Sequence, residues 1–236
     1  MKKKFLLFAL ITSIAVLGLT SCNKPQVALN AENFPDANFR AALAEILEIS
    51  EGDEITEEKI AATTSLDVSG EEIADLTGIE HFTALTSLFC NFNQLTALDV
   101  SQNTALTTLG CGNNQLTSLD VSKNTALTGL GCEFNQLTTL DVSKNTALLG
   151  LFCNFNQLTS LDLSQNTALI WLYCNNNQIK GEAMDALVNS LQTVNWGGVF
   201  FGIDTKDENE GNVCTEAQVA VAKRKGWTVY DNNVEI

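Results

Sequence analysis

The chain has 236 residues, with 28 acidic against 13 basic side chains, one histidine, two prolines and seven cysteines. A formal charge of −15 argues against a nucleic-acid partner, because phosphate backbones are held by clustered Lys and Arg, found here only as the short runs Lys2–Lys4 and Lys223–Lys225. The single His81 leaves little for His-based metal sites or Ser-His catalysis, while 45% apolar and 17% charged residues describe a chain able to bury a core.

Lys2, Lys3 and Lys4 precede an apolar run from Phe5 to Leu19. A basic start followed by about 15 apolar residues has the form of a secretion signal and is short for a membrane span. The run ends in Leu19-Thr20-Ser21-Cys22, which resembles the lipobox of bacterial lipoproteins. That resemblance implies residues 1–21 as a signal peptide, cleavage before Cys22, and lipid attached to Cys22. Removal of three lysines and no acids takes the charge from −15 to −18. Membrane contact is then through a lipid anchor rather than a basic surface, in the envelope of a bacterium and at its outer membrane. Asn23-Lys24-Pro25-Gln26 follows the cysteine in place of the acidic stretch that marks surface lipoproteins in some lineages, so the surface and periplasmic faces both stay open.

Residues 22–62 read as a linker and a helical N-terminal cap. Pro35 suits a first helical turn, and Phe39, Leu43, Ile46 and Leu47 fall on one helical face. Glu48 to Lys59 can be set against a twelve-residue calcium loop with Ile55 at the eighth position. Ser50 and Gly52 then stand where ligand oxygens belong, Asp53 where glycine is needed, and Lys59 where the bidentate Glu should be, so calcium binding is not expected. His81, within GIEHFTAL, reads as a packing or surface residue.

Residues 63–178 repeat. Four tandem copies of 21 residues, Leu85–Ala105, Leu106–Ala126, Leu127–Ala147 and Leu148–Ala168, each read close to LTxLxCxxNQLTxLDVSxNTA. A fifth starts at Leu169 and departs after Ile179; a divergent one precedes the set, with Leu66, Val68, Ile73, Leu76 and Phe82 in matching places. Such a period is the signature of a solenoid. Leu88 and Cys90 alternate with Ser87, Phe89 and Asn91, the period of a strand with one buried face. Leu95, Leu98, Val100 and Ala105 continue the inward set, and only neighbouring coils can cover it. About six coils at roughly 4.8 Å per strand make a stack 25–30 Å long.

The motif LxxLxCxxNxL resembles the leucine-rich repeat in the short 21-residue form of internalins. With the opening NFPDANFRAAL and the closing NxCTxAQVxxAKxKGW, the chain is similar to leucine-rich-repeat lipoproteins of host-associated bacteria. The resemblance implies a leucine-rich-repeat solenoid: a right-handed coil stack with one parallel β-sheet, a helical N-terminal cap and an α/β C-terminal cap. It also implies a binding module, since internalin-like repeats bind host proteins; the ligand does not carry over.

Three rows recur. Cys90, Cys111, Cys132, Cys153 and Cys174 stand in one straight line with parallel Cβ vectors, which suits neither disulfides nor tetrahedral zinc; they read as small core residues. Asn93, Asn114, Asn135, Asn156 and Asn177 are expected to pair with turn backbone and with the next Asn. Asp99, Asp120, Asp141 and Asp162 could gather calcium or, the reading preferred, bond backbone N–H groups in their own turns together with Ser101 and its equivalents.

Differences between copies gather on the outward sheet face. One column runs Ser65, Ser87, Thr108, Gly129, Gly150, Trp171; the next Asp67, Phe89, Gly110, Gly131, Phe152, Tyr173; the third Ser69, Asn91, Gly112, Glu133, Asn154, Asn175. Five glycines make a bare floor bordered by aromatics, with Phe92, Phe134 and Phe155 along the strand ends. Phe89, Glu133, Phe152, Asn154, Trp171 and Tyr173 are the candidate ligand-binding residues. Two other readings stand beside this one: a cross-strand ring stack, or a C-terminal cap folded over Trp171 and Tyr173.

Residues 179–236 read as a helix-strand-helix-strand cap. Ala183, Met184, Leu187, Val188 and Leu191 repeat at helical spacing, Val199 to Ile203 is a strand, Thr215 to Gln218 offers a capping box, and Gly226 stops that helix before a strand from Trp227 to Tyr230. Cys214 has no evident partner. No GxSxG, Cys-His pair or HExxH stands in the chain, and no catalytic, cofactor or metal residues are expected. The expected function is a non-catalytic, lipid-anchored module binding a protein or glycan on the outward sheet face. The alternative is a structural envelope lipoprotein with no external ligand.

Overall fold

A computed structural model describes residues 27–195, 197–231 and 234–236. Cys22 and the apolar run before it lie outside the described residues. No described helix is long and apolar enough to cross a membrane.

At the N-terminal end, β1 (Val27–Ala28) pairs antiparallel with β2 (Glu54–Ile55), and α1 (Ala37–Leu47) and α2 (Glu57–Ala62) complete the cap. Phe39, Leu43 and Leu47 of α1 are buried, but Ile46 is 41% exposed, one position off the inward stripe. Pro35 lies before the helix rather than in its first turn. Asp36 is the N-cap, because its carboxylate can accept the orphan N–H groups of Asn38 and Phe39, both at 2.9 Å. Its other oxygen accepts from the N–H groups of Ala74 and Asp75 at 2.8 and 3.2 Å, fastening the cap to the first coil. Lys59 donates to the Leu47 carbonyl at the end of α1, so the twelfth position of the calcium-like loop closes a helix.

Each coil contributes one short strand: β3 (Ser65–Asp67), β4 (Ser87–Phe89), β5 (Thr108–Gly110), β6 (Gly129–Gly131), β7 (Gly150–Phe152) and β8 (Trp171–Tyr173). They run parallel and in unbroken register, Leu66 beside Leu88, Leu109, Leu130, Leu151 and Leu172. These leucines and the five repeat cysteines are at most 1% exposed. Leu95 and Val100 continue inward as expected; Leu98 is half-buried against the core and its equivalents Leu119, Leu140 and Leu161 are buried, whereas Ala105 is only half-buried. The buried place in that stretch belongs to Asn103, Asn124, Asn145 and Asn166, whose amides reach carbonyls of the neighbouring coil. Asn124, for example, donates to Val100 and Asn103, both at 2.9 Å.

The other asparagine row bonds backbone rather than the next Asn. Asn114 donates to the Cys90 and Cys111 carbonyls at 3.0 and 3.1 Å, and its oxygen accepts from the Leu95 N–H at 3.0 Å. The backbone leaving a strand offers unpaired donors and acceptors to both sides, and these saturate the amide.

The C-terminal segment extends the same sheet. After α3 (Glu182–Ser190), β9 (Gly198–Ile203) pairs parallel with β8; after α4 (Glu216–Arg224), β10 (Trp227–Asp231) pairs parallel with β9, and β11 (Val234–Glu235) ends the sheet antiparallel. Among the described residues this makes a nine-stranded sheet, from β3 at one edge to β11 at the other. Met184, Leu187, Val188 and Leu191 close the core. The Thr215–Gln218 capping box is formed in both directions, and Gly226, at φ 86°, turns the chain after α4. Asn212 completes the asparagine row: its oxygen accepts from the Ile179 N–H at 2.7 Å and its amide donates to Cys174 and Gly202 at 2.7 and 2.8 Å.

Candidate functional site

Strand alternation turns the side chains of residues such as Phe89 outward while Leu88 and Cys90 face the core. In-register pairing then aligns one outward column across eight strands: Asp67, Phe89, Gly110, Gly131, Phe152, Tyr173, Phe201 and Tyr230. Its last four rings stack in succession, with centroids 5.1, 4.5 and 4.7 Å apart. The cross-strand ring stack is therefore present on this half of the face, carried into the cap by Phe201 and Tyr230. Sequence reading missed both rings because they lie outside the 21-residue period. Their outward positions in the cap strands were the available signal. Tyr173 stacks between Phe152 and Phe201 in this ladder and is half-buried, while Trp171, one column over, stays 44% exposed.

Between Phe89 and Phe152 the column carries only Gly110 and Gly131, a gap of three strand spacings, about 14 Å. The floor is not uniformly bare. A Cβ on Gly110 would lie 2.9 Å from Phe89 Cδ1, one on Gly112 2.5 Å from Glu133 Oε1, and one on Gly150 3.2 Å from Phe152 Cε2. Those three glycines are buried beneath their neighbours, and Gly129 and Gly131 are the more exposed part, Gly129 open and Gly131 beneath the second Glu133 oxygen. Together they form a shallow trough of about 240 Å³, walled by Phe89 and Phe152 and flanked by Asn91, Thr108 and Glu133. Of the six candidate residues the trough unites Phe89, Glu133 and Phe152. Asn154, Trp171 and Tyr173 lie outside it. Asn91 and Thr108 are additional lining residues, of types that sequence alone does not distinguish from solvated positions.

Glu133 is an unusual member of the trough. Its Oε1 lies over Gly112 and its Oε2 over Gly131, where the added Cβ would come within 3.1 Å. Oε2 is shielded from solvent and accepts no hydrogen bond.

Phe92, Phe134 and Phe155 do not lie in extended strand ends. They occupy the turn beyond, at φ 55°, 53° and 54°, in the left-handed region. Phe134 and Phe155 stack at 4.2 Å, while Phe92 is 66% exposed.

The remaining rows are scaffold. Each Asp accepts from the N–H two residues on: Asp99 from Ser101 at 2.9 Å, Asp120 from Ser122 and Asp141 from Ser143 at 2.8 Å, Asp162 from Ser164 at 2.9 Å. Bonds from the serine N–H and hydroxyl hold Asp99, Asp120 and Asp141 below the ordinary carboxylate range. Among the described residues no group of three or more His, Cys, Asp or Glu is placed to hold a metal. Burial pushes the Cys90 and Cys153 thiols up to about 12, removing the thiolate that metal binding or nucleophilic attack requires. The six described cysteines are free thiols, Cys214 being half-buried. His81 closes a short 3-10 turn and packs edge-on to Phe34 at 5.8 Å.

Stacked short coils, one parallel sheet and asparagine rows bonding each coil to the next define a leucine-rich-repeat solenoid, with its open surface on the outward sheet face. An internalin, InlF, from Listeria monocytogenes matches this fold with a TM-score of 0.70 at 23% identity, over 89% of this chain and 59% of that one. A leucine-rich-repeat protein of Leptospira interrogans matches with a TM-score of 0.57 at 20% identity, over 72% and 44% of the two chains. At these identities the likeness is one of fold. In sequence, 70 residues are 50% identical to internalin J of Listeria monocytogenes, covering 30% of this chain and 8% of that protein. The chain thus spans less than a tenth of the internalin J relatives it matches. No protein-family model matches the chain.

Proposed function

We propose that the protein is a non-catalytic, lipid-anchored module of the bacterial cell envelope that binds a protein ligand on the outward face of its sheet. The observation that carries this reading is the trough between Phe89 and Phe152, with Trp171 exposed beside it. Aromatic surface that the core does not require is characteristic of recognition faces, where a few rings supply most of the binding energy. The likeness to internalins supports a binding role. Lys2–Lys4, the apolar run and the Leu19–Cys22 ending support the anchor, which in this reading holds the solenoid near a membrane surface.

The test is a Phe89→Ala, Trp171→Ala double variant, compared with the parent on arrays of host cell-surface proteins and of glycans. Both rings leave the ring ladder intact, so the fold should persist while affinity for a confirmed protein ligand falls at least tenfold. Undiminished binding would overturn the placement, and binding confined to glycans would overturn the ligand class. Protease treatment of intact cells decides exposure: a protein that survives it faces inward and is no adhesin.

A further inference from the structure

We infer that the trough receives the guanidinium of an arginine side chain carried by the partner protein, with Glu133 as its counter-charge. The inference rests on the binding-face reading and names the group recognised there.

Glu133 is the one acid among its column of Ser69, Asn91, Gly112, Asn154 and Asn175. Gly112 and Gly131 leave space that any side chain would fill, and the carboxylate lies across both. Its Oε2 is out of solvent with no donor, and no Lys or Arg lines the trough. A carboxylate oxygen withdrawn from water is unfavourable until a charged donor meets it. The donor must also suit an apolar setting with rings at either end. Guanidinium is planar, weakly hydrated, stacks on aromatic faces and forks onto carboxylates, whereas ammonium is compact and strongly hydrated. Neutral sugar hydroxyls could bond Oε2 but not offset its charge. The formal charge of −15 favours a basic partner at long range as well.

The probe is N-acetyl-arginine amide, titrated at physiological salt against the ¹⁵N-labelled protein, with the amide signals of Gly110, Gly129 and Gly131 followed. The matched lysine, citrulline and chitotriose compounds serve as comparisons. Two variants accompany it. Glu133→Gln keeps the shape and removes the charge. Gly129→Val occupies the floor, and a Cβ there meets only Thr108 Cγ2, at 3.9 Å, so the strand can accept it. Saturable shifts with the arginine compound are expected, at least fivefold weaker in both variants, with lysine weaker and citrulline without effect. Equal binding by citrulline, equal binding by lysine, or an unaffected Glu133→Gln protein would overturn the inference. So would chitotriose moving these signals where arginine does not. If arginine fails here while the Phe89, Trp171 double variant still loses its protein ligand, the arginine assignment falls and the binding face stands.

Discussion

Three phenylalanines hold a backbone conformation that their side chains resist. Left-handed φ costs an ordinary residue about 1–2 kcal/mol, and asparagine tolerates it better. Asn113 and Asn176 occupy the equivalent turn in other coils, so Phe92, Phe134 and Phe155 depart from the easier choice. The stacked pair recovers part of that energy; Phe92, mostly exposed and followed by Asn113, has no such neighbour in its row. At Phe92 no ring stacking offsets the left-handed backbone. Phe92→Asn is therefore expected to raise stability by about 1 kcal/mol, read as a higher urea midpoint with unchanged slope. A lower midpoint would mean that the ring's own contacts outweigh the strain.

At the scale of elements, stability concentrates where the caps meet the coils, since an open coil end exposes core. Asp36 joins α1 to the first coil through four backbone N–H groups. Burial alone would raise its pKa, but those four bonds together hold it below the ordinary value. At the other end Glu210 accepts from the N–H groups of Asn176, Asp204 and Asn212 at 2.7–2.9 Å, with burial pushing its pKa up in spite of them. Asp36→Ala is expected to cost about 1–2 kcal/mol at pH 7. Because the folded pKa of Asp36 is the lower one, its contribution is complete above the unfolded value and disappears as pH falls through the folded one. The gap between parent and variant should thus narrow below about pH 4. A gap independent of pH would show that the ionised carboxylate is not what fastens the joint.

For the molecule as a whole, a continuous sheet and core run through a strongly acidic surface. Charge repulsion opposes the compact state, and the Arg40–Glu51 ion pair, at 2.7 Å, offsets little of it because its Glu51 is largely exposed. Adding sodium chloride up to about half molar should raise the urea midpoint as screening relieves the repulsion. A midpoint that falls with salt would mean that attractive pairs outweigh it.

What the sequence determined by itself is the coil. A 21-residue period with Leu88 and Cys90 in alternation leaves one face per turn that only the next turn can bury, so strand, stack and inward rows follow from local chemistry. Legible on the same basis were the Asp turns, the Thr215 capping box and the outward aromatics as a group. Which aromatics remain available was decided in three dimensions. Phe201 and Tyr230 come from outside the period and absorb Tyr173 into a ladder, and Asn212 replaces a repeat residue from the cap. Likewise a list of five glycines reads as a bare floor, yet Phe89, Glu133 and Phe152 lie over four of them and leave Gly129 open. Side chains settle against neighbours a coil away, and that contact is set by sheet register and ring packing rather than by order along the chain.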